Sequence, residues 1–139
     1  MEKESRDFSK LFNIKKYHTA YTTQLAKDNN VGVGCLVFLK ALTSKAFHSQ
    51  QELSEFVGCN KAHTSRILTK MLNQGLLDIS QERGIKLTEE GLKLAKKVEK
   101  IDKEYTAKLL ESVSKDDLEI FRKVCKQIYK NSEKIANSN

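Results

Sequence analysis

Between Cys59 and Gly75 the chain carries three cations, Lys61, Arg66 and Lys70, and no carboxylate. His63, Ser65 and Thr69 lie among them, so guanidinium, ammonium, imidazole and hydroxyl groups share one stretch with nothing of opposite sign to neutralise them. These group types suit polyanion recognition. A guanidinium fork matches the two acceptors on a guanine edge, and a methyl such as that of Ala62 fits against a thymine methyl. Ammonium and hydroxyl groups hold phosphate oxygens, which position a duplex without reading it. Arg66 is therefore the candidate base reader, Ala62 a thymine contact, and His63 a base or phosphate contact. Lys61, Ser65 and Lys70 are candidate phosphate contacts, with Thr69 on the same face. A basic helix face is often only a solvated face, so the case depends on the elements that place it.

Other chemistries find less support. The three cysteines, Cys35, Cys59 and Cys125, are odd in number and form no C-x-x-C pair, which argues against a disulfide framework and a zinc ribbon. Cys59 precedes a candidate helix, whose N-terminus can lower a thiol pKa. It is either a redox sensor or a small side chain packed inward, and packing is the expectation; Cys35 and Cys125 are expected in the core. His18, His48 and His63 are far apart, with no H-x-x-x-H pair, so no metal site is expected. Without a Gly-x-Ser-x-Gly, a phosphate loop or a paired acid–base signature, neither an enzyme nor a cofactor is expected. Tyr17, Tyr21 and Tyr105 fit a ligand crevice and a set of core aromatics equally well.

The elements that must position the basic stretch can be read from periodicity. Asp7 to Asp28 has Phe8, Leu11, Phe12, Ile14, Tyr21 and Leu25 at helical spacing and ends at Asp28-Asn29-Asn30. Val31 to Thr43 is apolar on nearly every side, as in a helix at the middle of a domain. A linker from Ser44 to Ser49 follows, then a short helix from Gln50 to Val57 with Leu53, Phe56 and Val57 inward. Gly58 supplies a left-handed stop, Asn60 an N-cap for a helix from Lys61 to Gln74, and Gly75 its far end. Along that helix Thr64, Ile67, Leu68 and Met71 form the dry face, opposite Lys61, Ala62, His63, Arg66, Thr69 and Lys70. Leu76 to Ser80 and Ile85 to Leu87 read as a hairpin joined by Gln81-Glu82-Arg83-Gly84.

Thr88 opens a long helix with Glu89 and Glu90 in its first turn, though Gly91 leaves its capping box incomplete. Leu94, Val98, Ile101 and Tyr105 continue at three- and four-residue steps. After Ser114, an N-cap with Asp116 and Asp117 in the first turn, a last helix shows Leu118, Phe121, Cys125, Ile128, Ser132 and Ile135. Such stripes serve either packing within one chain or a subunit interface.

Composition agrees with a helical protein. The 139 residues include no proline and only 6 glycines, too few of either for an all-β fold. Hydrophobic residues at 39% and charged residues at 31% argue against disorder. The net charge of +7 alone does not separate nucleic-acid binding from solubility. Its placement does. The six acids of residues 88 to 111 are matched by six bases and Gln51 to Gly58 holds only Glu52 and Glu55, so uncompensated charge gathers on the Lys61 to Gln74 helix. The opening MEKESRDFSK lacks the apolar core of a signal peptide, and no apolar run approaches a bilayer span, so a cytoplasmic protein is expected.

A helix, a glycine turn, a second helix and a hairpin make a winged helix-turn-helix. The segment SQQELSEFVGCNKAHTSRILTKMLNQGLLDI with GIKLTEEG resembles the MarR (multiple antibiotic resistance regulator) family. The resemblance rests on Gln51 to Leu53 with Gly58, Ser65-Arg66, Gly75-Leu76-Leu77, and Leu87-Thr88-Glu89-Glu90-Gly91. It implies a mostly α chain with a small β-hairpin wing, residues 1–139 forming one domain. Residues 1–30 and 92–139 would be dimerisation helices and 31–91 the DNA-binding core. It also implies a homodimer on a pseudo-palindromic operator in double-stranded DNA, repression as the usual outcome, and in many members release by a small-molecule effector, oxidation or metals. One feature departs from the family: its wings carry a longer arm with an Asp-x-Arg element. Here Gly75 and Leu87 are close and the tip offers only Glu82 and Arg83, so Arg83 is expected on a phosphate and not in the minor groove. The alternative reading is a winged-helix module for protein association, which an acidic second helix would have favoured.

Overall fold

The computed structural model describes residues 2–138. Its elements are α1 (Lys3–Asp28), α2 (Val33–Ser44), α3 (Gln50–Val57), α4 (Lys61–Asn73), β1 (Leu77–Ser80), β2 (Gly84–Leu87), α5 (Glu89–Leu109) and α6 (Lys115–Asn137). The expected mostly α architecture with one hairpin is present. Two compact units divide the chain, Met1–Asp102 and Lys103–Asn139, with α5 passing from the first into the second.

The first unit holds the hydrophobic core. Leu25 and Ala26 of α1, six residues of α2 from Cys35 to Leu42, Leu53 of α3, Ile67, Leu68 and Met71 of α4, and Ala95 and Val98 of α5 are all buried. Packing thus runs across positions 30 and 91. Three details depart from the sequence reading of the first three helices. Phe56 of α3, expected inward, is exposed at the rim with its ring edge-on to that of buried Phe47. α1 begins at Lys3, four residues before the expected Asp7, because ordinary helical bonds such as Arg6 N–H to the Glu2 carbonyl (3.2 Å) extend it without a side-chain cap. α2 is not enclosed on all sides: Val33 and Val37 are exposed. Between the two helices Asn30 takes a left-handed φ of 56°, and the Val31 N–H reaches back to the Ala26 carbonyl at 3.0 Å.

α3 and α4 are capped as their sequences require. Ser49 Oγ accepts the Glu52 N–H at 3.1 Å, and Asn60 Oδ1 accepts the His63 N–H at 2.8 Å. Gly58 turns the chain at φ 81°. α4 closes with the Gly75 N–H on the Leu72 carbonyl and the Leu76 N–H on that of Met71, both near 3 Å.

The wing differs from expectation in its strand starts, Leu77 and Gly84 in place of Leu76 and Ile85, and in one partner. Its register pairs Leu77 with Leu87, Asp78 with Lys86, Ile79 with Ile85, and Ser80 with Gly84. The tip is therefore only Gln81-Glu82-Arg83, and Gly84 belongs to β2 at φ 72°. The reason lies in the supposed linker. Phe47, fully buried, forms a bridge with Ile85 through two backbone bonds of 3.0 and 2.7 Å, as a single-residue third strand. A Cβ at position 84 would overlap the Phe47 carbonyl oxygen, so only glycine fits. Thr88 ties the wing's exit to the end of α4: its hydroxyl donates to the Gly75 carbonyl (2.6 Å) while accepting the Gly91 N–H (3.1 Å).

In the second unit Ser114 Oγ accepts the Asp117 N–H at 3.0 Å, the expected N-cap of α6. No described residue of α6 is buried. Cys125, expected in the core, is exposed along with Phe121, Ile128 and Ile135, because among the described residues no side chain of α6 is buried.

Candidate nucleic-acid interface

Burial sorts α4 into two faces. Thr64, Ile67, Leu68 and Met71 are buried, while Lys61, Ala62, Ser65, Arg66, Thr69 and Lys70 are exposed. A helix repeats every 3.6 residues, so Ala62, Ser65, Arg66 and Thr69 fall along one outward strip, flanked by Lys61 and Lys70. His63 is half-buried: a Cβ at Gly34 would lie 3.6 Å from its Nε2, which places its ring against the start of α2. The structure thus brings seven of the eight candidate residues onto one helix. Arg83 stands apart, exposed at the wing tip, its N–H donating to Ser80 Oγ at 2.9 Å.

The exposed cations are electrostatically open. Among the described residues no ion pair engages Lys61, Arg66 or Lys70. The two acids of α3 are occupied elsewhere. Glu52 pairs with Lys45 at 3.1 Å and accepts the His48 N–H, and these two bonds hold its carboxyl below the usual carboxylate range. Glu55 accepts from the Gln51 amide at 3.2 Å. A positive helix face with its neighbouring carboxylates engaged is what phosphate attraction requires.

Three features of the site lay outside the sequence reading. The Gln50 amide donates to the Lys61 carbonyl at 3.4 Å, joining the starts of α3 and α4. At the other end the Gln74 amide donates to the Asn30 carbonyl at 2.7 Å, tying α4 to the turn before α2. Between α4 and that turn lies a cavity of about 490 Å³, floored by Val31, Cys35, Ile67 and Met71 and edged by His63 and Lys70. No sequence signal marks it, since its walls come from segments some thirty residues apart. Burial of Cys35 there pushes its thiol up to about 11, so it stays neutral. Cys59 is half-buried against the core, as packing predicts. Of the tyrosines, Tyr17 is exposed, while Tyr21 is half-buried with its hydroxyl donating to Asp102 Oδ1 at 2.7 Å; Asp102 also pairs with Lys40 of α2.

No protein-family model matches the sequence, and no curated protein matches it. Solved structures do. A MarR transcriptional regulator from Methanosarcina mazei Go1 shares 24% identity, with 97% of this chain and 94% of that one covered and a TM-score of 0.76. A MarR/EmrR family transcriptional regulator from Acinetobacter sp. ADP1 shares 18%, covering 96% and 99%, at a TM-score of 0.78. Staphylococcus aureus MarR, solved in complex with salicylate and kanamycin, shares 18%, covering 94% and 93%, at 0.77. With nearly the whole of each chain superposed on the helix-turn-helix, wing and flanking helices described above, the fold of this chain is that of the MarR-family transcriptional regulators.

Proposed function

We propose that this protein is a MarR-family DNA-binding transcriptional regulator and not an enzyme. One observation carries the reading: the second helix of the helix-turn-helix presents Lys61, Arg66 and Lys70 on an open face without a carboxylate between residues 59 and 75. Arg66 reads a base, Ala62 and Thr69 lie against base edges, His63 touches a base or phosphate, and Lys61, Ser65 and Lys70 hold phosphates. Arg83 adds a backbone contact from the wing. The active species is a homodimer, supported by the exposed apolar residues of α1 and α6, with one α4 on each half of a pseudo-palindromic site. Repression is the proposed sense of control, and a small effector the proposed releasing signal. The salicylate complex of the S. aureus protein supports the latter, as does the cavity edged by His63 and Lys70. The described helices include none long and apolar enough to cross a membrane, which accords with a cytoplasmic regulator.

Salt titration tests the proposal. A dimer setting Lys61, Lys70 and Arg83 on phosphates twice neutralises about six charges, so affinity for genomic fragments should fall about a thousandfold between 50 and 200 mM salt. Anisotropy or gel-shift measurements across that range report the slope. Weak binding that ignores salt on every fragment would reject the regulator reading in favour of a protein-association module.

A further inference from the structure

Thr69 lies on the outward strip of α4, about one turn beyond Arg66 and two beyond Ala62. Although the residue is exposed, its hydroxyl donates to the Ser65 carbonyl at 2.9 Å. A proton committed to the helix's own backbone is not available to the acceptors of guanine or thymine. Ser65, on the same strip, makes no such side-chain bond among the described residues, so the two hydroxyls are not equivalent. What Thr69 adds to the strip that Ser65 lacks is a methyl group.

We infer that Thr69 is a specificity-determining residue that reads a thymine through its methyl, with Ala62 reading a second thymine on the other side of Arg66. The inference rests on the DNA-binding reading above and assigns a chemistry within it. In the major groove only thymine presents a methyl, and an apolar contact there distinguishes it from the other bases. Ala62 and Thr69 are separated by seven residues, or about 10 Å of helix, which matches about three base-pair steps. Each half-site therefore carries two methyl-read thymines about three steps apart, with the base contacted by Arg66 between them.

The test uses the full-length protein and the operator fragment found in the salt titration. Each thymine of one half-site is replaced singly by deoxyuridine, which removes the methyl and leaves the hydrogen-bonding edge intact. Wild type should weaken about fourfold at each of two positions about three steps apart, the effect of one buried methyl. Thr69→Val keeps the methyl and removes the hydroxyl, so it should bind as wild type does and respond at both positions. Thr69→Ser changes both protomers of the dimer, so it should bind about fifteenfold more weakly, fourfold per half-site, and lose the response at one position, while Ala62→Gly loses it at the other. Circular dichroism and binding to scrambled DNA control for folding. If Thr69→Val weakens binding as much as Thr69→Ser, or Thr69→Ser keeps both responses, the hydroxyl and not the methyl is the reader and the inference is overturned. Absence of saturable wild-type binding to any fragment is a different result: it rejects the DNA-binding reading and the inference with it.

Discussion

Arg66 and Arg83 are both exposed guanidinium groups, yet the proposed function gives them different work. Arg66 projects from the strip that a helix-turn-helix lays along base edges, whereas Arg83 sits on a tip of three residues whose Ser80 anchor keeps the turn tight. Arg66→Ala should lose about 1–3 kcal/mol per half-site and relax preference at one base pair, because a bidentate donor is removed. Arg83→Ala should cost less and by a similar amount on every sequence, as loss of a phosphate contact does. Binding of both variants to the operator and to scrambled DNA measures this; loss of discrimination with Arg83→Ala alone would invert the roles. The outward residues of α4 were legible in the sequence because Thr64, Ile67, Leu68 and Met71 mark the buried face at a 3.6-residue period. The half-buried ring of His63 was not, since its neighbour Gly34 lies far away in sequence and has no side chain to announce the contact. Cys35 gives a second residue-scale test. Its folded pKa of about 11 lies above the ordinary thiol value of 9.0, so the neutral thiol's contribution to stability is complete below pH 9 and is lost as pH rises towards 11. Thermal unfolding from pH 8 to 11 should fall more steeply for wild type than for Cys35→Ala, and native Cys35 should resist alkylation at pH 8. Equal slopes would show that the thiol titrates as in the unfolded chain.

The wing and the turn before α4 use glycine for different reasons, and the difference is measurable. Gly58 needs only a left-handed φ of 81°, with nothing within 4 Å of a would-be Cβ. Gly84 combines a φ of 72° with direct approach to the Phe47 backbone. Gly58→Ala should therefore cost about 1 kcal/mol, the penalty of a left-handed Cβ alone. Gly84→Ala adds a backbone collision that cannot relax without breaking the two bonds between Phe47 and Ile85, so it should cost clearly more, about 2–4 kcal/mol. Urea unfolding of both variants gives the comparison, and equal losses would mean that Phe47 moves aside freely. The elements with capping residues were legible in the sequence, as Ser114, Thr88 and Asn60 all accept the N–H bonds their positions imply. Phe47 was not. A strand of one residue has no alternation to detect, and its partner Ile85 is 38 positions on, so Ser44 to Ser49 reads as a linker. Gly84 reads as a turn residue for the same reason: its constraint comes from Phe47 and is invisible without it.

At the scale of the whole molecule, burial is unevenly divided. The first unit encloses a core running from Leu25 to Val98, while α6 buries none of its described residues although Phe121, Val124, Ile128 and Ile135 are spaced along it as an apolar stripe. α1 repeats the pattern over its first half, where Phe8, Leu11, Phe12 and Ile14 are exposed and Phe12 is 75% accessible. Helices draw most of their stability from packing an apolar face, so two long helices with open stripes fit the homodimer proposed above. In an isologous dimer the same stripes on both copies cover each other, and a closed pair leaves no apolar surface to propagate. Ending the chain after Val113 removes one stripe and should yield a monomer or an insoluble protein. A milder variant, Phe121→Lys with Ile128→Lys, leaves the first unit's core untouched and should shift full-length protein from dimer to monomer with the helix-turn-helix still folded. Loss of the second α4 then halves the phosphate contacts, so the salt slope should fall by about half alongside the affinity. Sedimentation at micromolar concentration reads the association, and anisotropy reads the slope. A wild-type monomer at that concentration, or a double-lysine variant with unchanged mass and slope, would show that α6 does not join the subunits.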